Sequence, residues 1–283
     1  MLIQVLNGLV YGSLLYILSV GLVLVFGLRR VVNFAHGGLF MLGAYIAYAC
    51  SLIGGFWLGL IAATLALCAV GAMIDRFVLR PLQDRDATVT LLVTFGILLV
   101  IEDFARTVWG KDFLVMSAPP SLSGGIPLEG GQFPVYRLLV IAAATVVATG
   151  LSLWLNCGRY GLYVRAASVD PVTTGMQGVD TQRLGGLVVA IGAGLAGLAG
   201  AIAAPLVALS PTMGSYIQIS CFVVVVTGGL SSFGGAFVAA MLIGQIHNFG
   251  VVFVPAAASM IPLLLMALVL AFRPGGLAGK PTA

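Results

Sequence analysis

The chain has 283 residues, of which 60% are hydrophobic and 8% charged, with a formal net charge of +4. Soluble domains carry roughly 25% charged residues because their surface must be wetted, so composition excludes a water-soluble globule of this size. Lipid is the natural solvent for such a chain, and its length measures membrane crossings.

The start, Met1 to Gln4, has no positive n-region and no small-residue cleavage site follows before Arg29. The first apolar run therefore reads as a retained span. A spanning helix needs about 20 mainly apolar residues. In chain order, the candidates on that ruler are 5–28, 32–53, 56–74, 88–108, 135–155, 184–205, 217–230, 235–254 and 256–272. The seventh is short, and Gly228–Gly235 after it reads as a tight turn or a re-entrant break. The predicted fold is all-α: one polytopic transmembrane domain over 1–283, with about eight or nine spans.

Ten of the thirteen basic residues fall in loops that alternation places on one face. They are Arg29 and Arg30, then Arg76, Arg80 and Arg85, then Arg159, Arg165 and Arg183, and finally Arg273 and Lys280. The excess of Lys and Arg in cytoplasmic loops makes that face the inner one, with the N-terminus outside and the C-terminus inside. The opposite face holds the Pro/Gly/Ser-rich connection 110–134 and the short turn 207–216. Gly192/Ala196/Gly200, Ala193/Gly197/Ala201, Ala236/Ala240/Gly244 and Gly8/Gly12 recur every four residues and mark close helix contacts.

The polar stretch 156–183 is the most informative. Asp170 is a good N-cap, Pro171 suits the first helical position, and Gly178 is a plausible C-terminal stop. Val172 and Met176 share a face between them. The result is a short amphipathic helix, too short to be stable alone. It lies either on lipid headgroups or in a cytoplasmic partner.

RYGLYVRAASVDPVTTGMQGVDTQRL at 159–184 resembles the coupling segment of branched-chain amino acid permeases in the ATP-binding-cassette class. VVNFAHGGLFMLGAY at 31–45, AGLAGAIAAP at 196–205, VVVVTGGLSSFGGAFVAAMLIG at 223–244 and RPGGLAG at 273–279 agree with it, in consistent order along the chain. The resemblance implies an importer permease in a bacterial inner membrane. Its implied partners are two cytoplasmic ATPases, a second and paralogous permease subunit, and a periplasmic solute-binding protein. It also implies that Gly161, Arg165, Asp170, Pro171, Val172, Met176 and Gly178 form the handle gripped by the ATPase. No GxxxxGK[ST] phosphate loop occurs, so ATP and Mg are expected on the partner ATPases, with no cofactor on this chain. No catalytic residue is expected, and no nucleic-acid partner.

Polar groups inside a membrane are functional candidates by default. Asn33 and His36 open the second span and either face the solute or brace the bundle. Glu102, Asp103 and Arg106 are spaced to meet on one helical face near the outer end, as an interfacial ion cluster or as a periplasmic gate or docking contact. His247 and Asn248 read as packing groups. Cys50, Cys68, Cys157 and Cys221 lack metal-ligand or redox spacing, and no metal site is expected. The competing classes are an energy-independent channel or secondary carrier, for which no central acidic residue is present, and an intramembrane protease, for which Gly229-Leu230-Ser231-Ser232 lacks the required pattern. Within the importer reading, solutes such as urea, short amides or aromatic acids stand beside branched-chain amino acids.

Overall fold

The computed structural model describes residues 1–83, 85–128, 131–255, 258, 260–273 and 275–278. Among these residues, ten α-helices run in order: α1 (Leu2–Arg29), α2 (Ala35–Ile74), α3 (Ala87–Trp109), α4 (Val135–Cys157), α5 (Arg159–Val169), α6 (Pro171–Met176), α7 (Thr181–Ala203), α8 (Met213–Gly228), α9 (Phe233–Phe253) and α10 (Ile261–Phe272). Six apolar stretches among the described residues are long enough to cross a membrane, with Ala35–Leu79 taken as one, and α8 and α10 are shorter apolar helices.

The expected break between the second and third spans lies inside α2. Gly54 and Gly55 leave helical geometry, and Gly55 has φ +77°, a conformation open to glycine at no steric cost. A Cβ on Gly59 would sit 2.5 Å from the Ala47 carbonyl oxygen. Twelve residues of straight helix would separate those positions by about 18 Å, so the two limbs, 35–53 and 56–74, fold back on each other.

Both limbs press on α7. A Cβ on Gly43 would meet the Cα of Gly197 at 2.5 Å, and one on Gly197 would meet Leu67 of the second limb at 2.8 Å. The helix α1 lies at the centre, buried from Val10 to Val25 save for Tyr11. It packs on α9, where a Cβ on Gly244 would stand 2.6 Å from the Cα of Gly12. Dispersion at such short range replaces the hydrophobic drive that lipid removes. The stripes read from the sequence are these seams.

Three features depart from expectation. Residues 110–134, expected as a plain connection, contain a short antiparallel hairpin, β1 (Gly125–Leu128) with β2 (Gly131–Pro134), beside an otherwise helical bundle. Phe133 of β2 is 1% exposed and pins that hairpin to the core. The second is α5, an unforeseen helix immediately before α6. The third is the placement of α8 and α10: α8 starts at Met213, ahead of the expected 217, and α10 at Ile261, after the expected 256. Residues 256, 257 and 259, at the expected start of that span, and Lys280 lie outside the described residues.

Candidate functional site

One end of the bundle carries α6, the short helix expected from Asp170, Pro171 and Gly178. Asp170 accepts hydrogen bonds on Oδ1 from the backbone N–H of Val172 and of Thr173, both at 3.0 Å, and on Oδ2 from the Thr173 hydroxyl at 2.5 Å. These bonds satisfy donors that a helix start leaves open. They also hold the Asp170 carboxyl below the usual carboxylate range, with the Thr173 hydroxyl as the largest cause. Pro171 occupies the first helical turn. Gly178 follows with φ +84°, and its N–H bonds the Gly175 carbonyl at 3.0 Å. Between cap and stop, Val172 is 65% exposed and Met176 81%. Two apolar side chains thus project from a six-residue helix.

The helix α5 aims that element. Gly161 lies against the Trp154 and Leu155 backbone, where a Cβ would clash. Arg165 closes the corner by donating to Asn156 Oδ1 at 2.9 Å. Arg30, at the end of α1, donates to the Ser168 and Val169 carbonyls at 3.1 and 3.2 Å. An open groove of about 700 Å³ runs between α5, α6 and the start of α7, with Tyr160, Tyr163, Thr173, Gln177 and Arg183 in its walls.

The same end holds a buried ion cluster that sequence reading missed. Asp75, fully buried, takes Arg29 on one carboxylate oxygen and Arg80 Nε, at 2.8 Å, on the other. It begins a π-helical turn, Asp75–Leu79, in which the Arg80 N–H returns to the Asp75 carbonyl at 2.9 Å. The start of α7 covers the cluster: a Cβ on Gly186 would stand 2.8 Å from Arg80 and 3.1 Å from Asp75. Asp75 is the lone acidic residue between spans two and four that lies at the end of an apolar run with arginines at 76 and 80. That was its available signal.

The other candidates separate. His36 is 1% exposed, with Nε2 bonded to the Leu18 carbonyl at 2.9 Å. Asn33 is 2% exposed and accepts from the Ala35 N–H at 3.0 Å. Glu102, Asp103 and Arg106 form no ion pair among the described residues, which corrects the expected cluster. Glu102 lies on the buried face of α3 while Asp103 and Arg106 lie on its exposed face. Its Oε1 accepts from the N–H and hydroxyl of Ser215, at 3.1 and 2.5 Å. Ser215 belongs to the first turn of α8, whose own cap residue supplies no side-chain bond. The carboxylate thus caps α8 from a neighbouring helix and meets its positive dipole end. His247 stacks on Tyr11 with ring centroids 4.5 Å apart, and Asn248 donates to the Gln4 carbonyl at 2.8 Å. No three potential metal ligands gather among the described residues.

Known proteins converge on one family. Over 98% of its length the chain is 28% identical to the high-affinity branched-chain amino acid transport system permease protein BraD of Pseudomonas aeruginosa, covering 95% of that protein. It is 24% identical to LivH of Escherichia coli K12, a permease of the same description, over 98% of this chain and 95% of that one. A solved structure of PsaBC from Streptococcus pneumoniae in complex with Fab contains a chain of similar fold, with a TM-score of 0.50 at 11% identity and coverage of 94% and 89%. The family described as the permease component of branched-chain amino acid transport systems matches residues 4–270, and this chain belongs to it.

Proposed function

We propose that this chain is the membrane-spanning subunit of an ATP-driven importer for a small polar solute, with branched-chain amino acids as the leading class. A periplasmic binding protein delivers the solute at the end that carries the 110–134 connection. Two cytoplasmic ATPases, which hold ATP and Mg, grip α6 at the other end. A second permease subunit, paralogous to this one, completes the pathway. The basic end is then cytoplasmic, as the loop charges favour, and the N-terminus lies outside.

The observation that carries this reading is the construction of α6. A helix of six residues has no stability of its own. It is nonetheless capped by Asp170, stopped by Gly178 and buttressed by α5, while Val172 and Met176 remain exposed. Apolar side chains held out on a rigid post fit insertion into a groove of a partner, and closure of paired ATPases then pulls on α5 and α7, which flank it.

The double variant Asp170→Ala, Val172→Asp tests this in proteoliposomes containing the ATPases and a binding protein. Solute-stimulated ATP hydrolysis is expected to fall to its unstimulated level, with membrane insertion intact. Normal stimulation in that variant would refute the coupling role.

A further inference from the structure

At the end opposite α6, two adjoining cavities divide the chemistry of an amphipathic acid between them. The larger, about 600 Å³, is a pocket open on one side between α1, α8 and the start of α10, where Tyr216 and Ile219 are exposed, with no charged side chain in its described wall. Aliphatic residues and Met213 dominate that wall. Among the described residues, Tyr11, Tyr216, Ser220 and His247 supply its hydrogen-bonding side chains. Ligand sites have this size and this balance of apolar wall to few polar groups, whereas a lipid tail requires no hydroxyl or imidazole.

The smaller recess, about 250 Å³, shares Tyr11, Leu14 and Val207 with the first and adds Asn7, Asn248 and Arg137. Asn7, Tyr11 and Leu14 occur at spacings of four and three, on one face of α1. They span about 10 Å of helix, the scale of one small solute. Arg137 donates to Asn7 Oδ1 and lies 5.9 Å from the centre of the Phe133 ring. Among the described residues no carboxylate pairs with it. A guanidinium fixed by an amide and a ring, with no internal counter-ion, at the edge of an apolar pocket is arranged to receive a carboxylate.

We infer that Arg137 binds the carboxylate of the solute while the larger pocket takes its apolar side chain. The site thereby selects monocarboxylates with a branched aliphatic or aromatic side chain over urea and short amides. This rests on the transport reading above for its biological role, but the test reads binding to this chain alone, without ATP hydrolysis or transport, so the two fail independently.

The test is photolabelling of the full chain in lipid nanodiscs with a diazirine analogue of L-leucine, followed by peptide mapping. Label is expected on peptides containing Tyr11, Ser220 or Leu263, displaced by L-leucine and 4-methylpentanoate but not by L-leucinol, which lacks the carboxylate. Loss of a charged hydrogen-bond partner corresponds to about a tenfold to hundredfold weaker binding, and Arg137→Gln should reduce the labelling affinity by that factor. Asn7→Asp, which neutralises Arg137 internally, should act likewise if Arg137→Gln proves unstable. Ser220→Phe should block labelling by filling the pocket, while Lys111→Gln, at an exposed cation outside it, should leave labelling unchanged. Equal competition by leucinol, or full labelling in Arg137→Gln and Asn7→Asp, overturns the assignment. So does a loss in Arg137→Gln of bound anionic lipid alone, which would make a headgroup phosphate the partner.

Discussion

Asp75 shows how much one residue can hold at a membrane interface. Its carboxylate balances two guanidiniums on a helix end that α7 covers. Removing one member of a buried ion group leaves uncompensated charge and costs about 3–5 kcal/mol. Asp75→Ala should therefore lower the denaturation midpoint of the detergent-solubilised chain markedly, whereas Arg80→Gln, on a side chain 32% exposed, should cost much less. Equal effects would show that the cluster is solvated. Sequence spacing could not single out this residue, because the partners lie 46 and 5 positions away and the π-helical turn that aligns them has no local signature. Glu102 illustrates the reverse. Its spacing from Arg106 predicts a helical pair, but an open N–H at the start of α8 competes for the carboxylate and wins, since a buried unpaired donor costs more than an exposed ion pair gains.

Among the elements, the long apolar runs were legible because hydropathy and length alone define them. The α6 cap and stop were legible because Asp, Pro and Gly act through local geometry. The hairpin in 110–134, the helix α5 and the true start of α8 were not, since each is set by a tertiary partner: Phe133 in the core, the α4 backbone under Gly161, and Glu102. The α6 cap has a testable pH response. The carboxyl of Asp170 is depressed in the folded state. Its contribution is thus fully present above the unfolded carboxylate pKa, about 4, and is lost as pH falls through the lower folded value. Protection of the Val172 and Thr173 amides, corrected for intrinsic exchange, should stay flat from pH 8 to 5 and decline only below about pH 4. A decline near pH 6 would point to a different controlling group.

At the scale of the molecule, the two ends have opposite characters. The basic end gathers most of the arginines, the buried Asp75 and the projecting α6. The other end closes through backbone and aromatic contacts: Leu114 pairs with Leu209, the Tyr136 hydroxyl donates to the Ile202 carbonyl at 2.7 Å, and Tyr45 meets Trp109 at 5.2 Å. The basic end also receives the segment after α10. The N–H of Leu277 donates to the Thr227 carbonyl at 2.8 Å, and that of Ala278 to the Gly228 carbonyl at 3.3 Å. These are final carbonyls of α8, which a helix cannot satisfy itself and which membrane depth makes costly to leave open. Deleting residues 275–283 should therefore loosen α8, seen as faster amide exchange across 223–228, while α1 and α7 stay protected. Unchanged exchange there would show that water suffices.

That strap has a consequence for assembly in time. The ribosome delivers α8 well before the residues that finish it, and two more apolar helices must enter the bilayer in between. Until they do, the last carbonyls of α8 lack the partners that Leu277 and Ala278 give them in the folded chain.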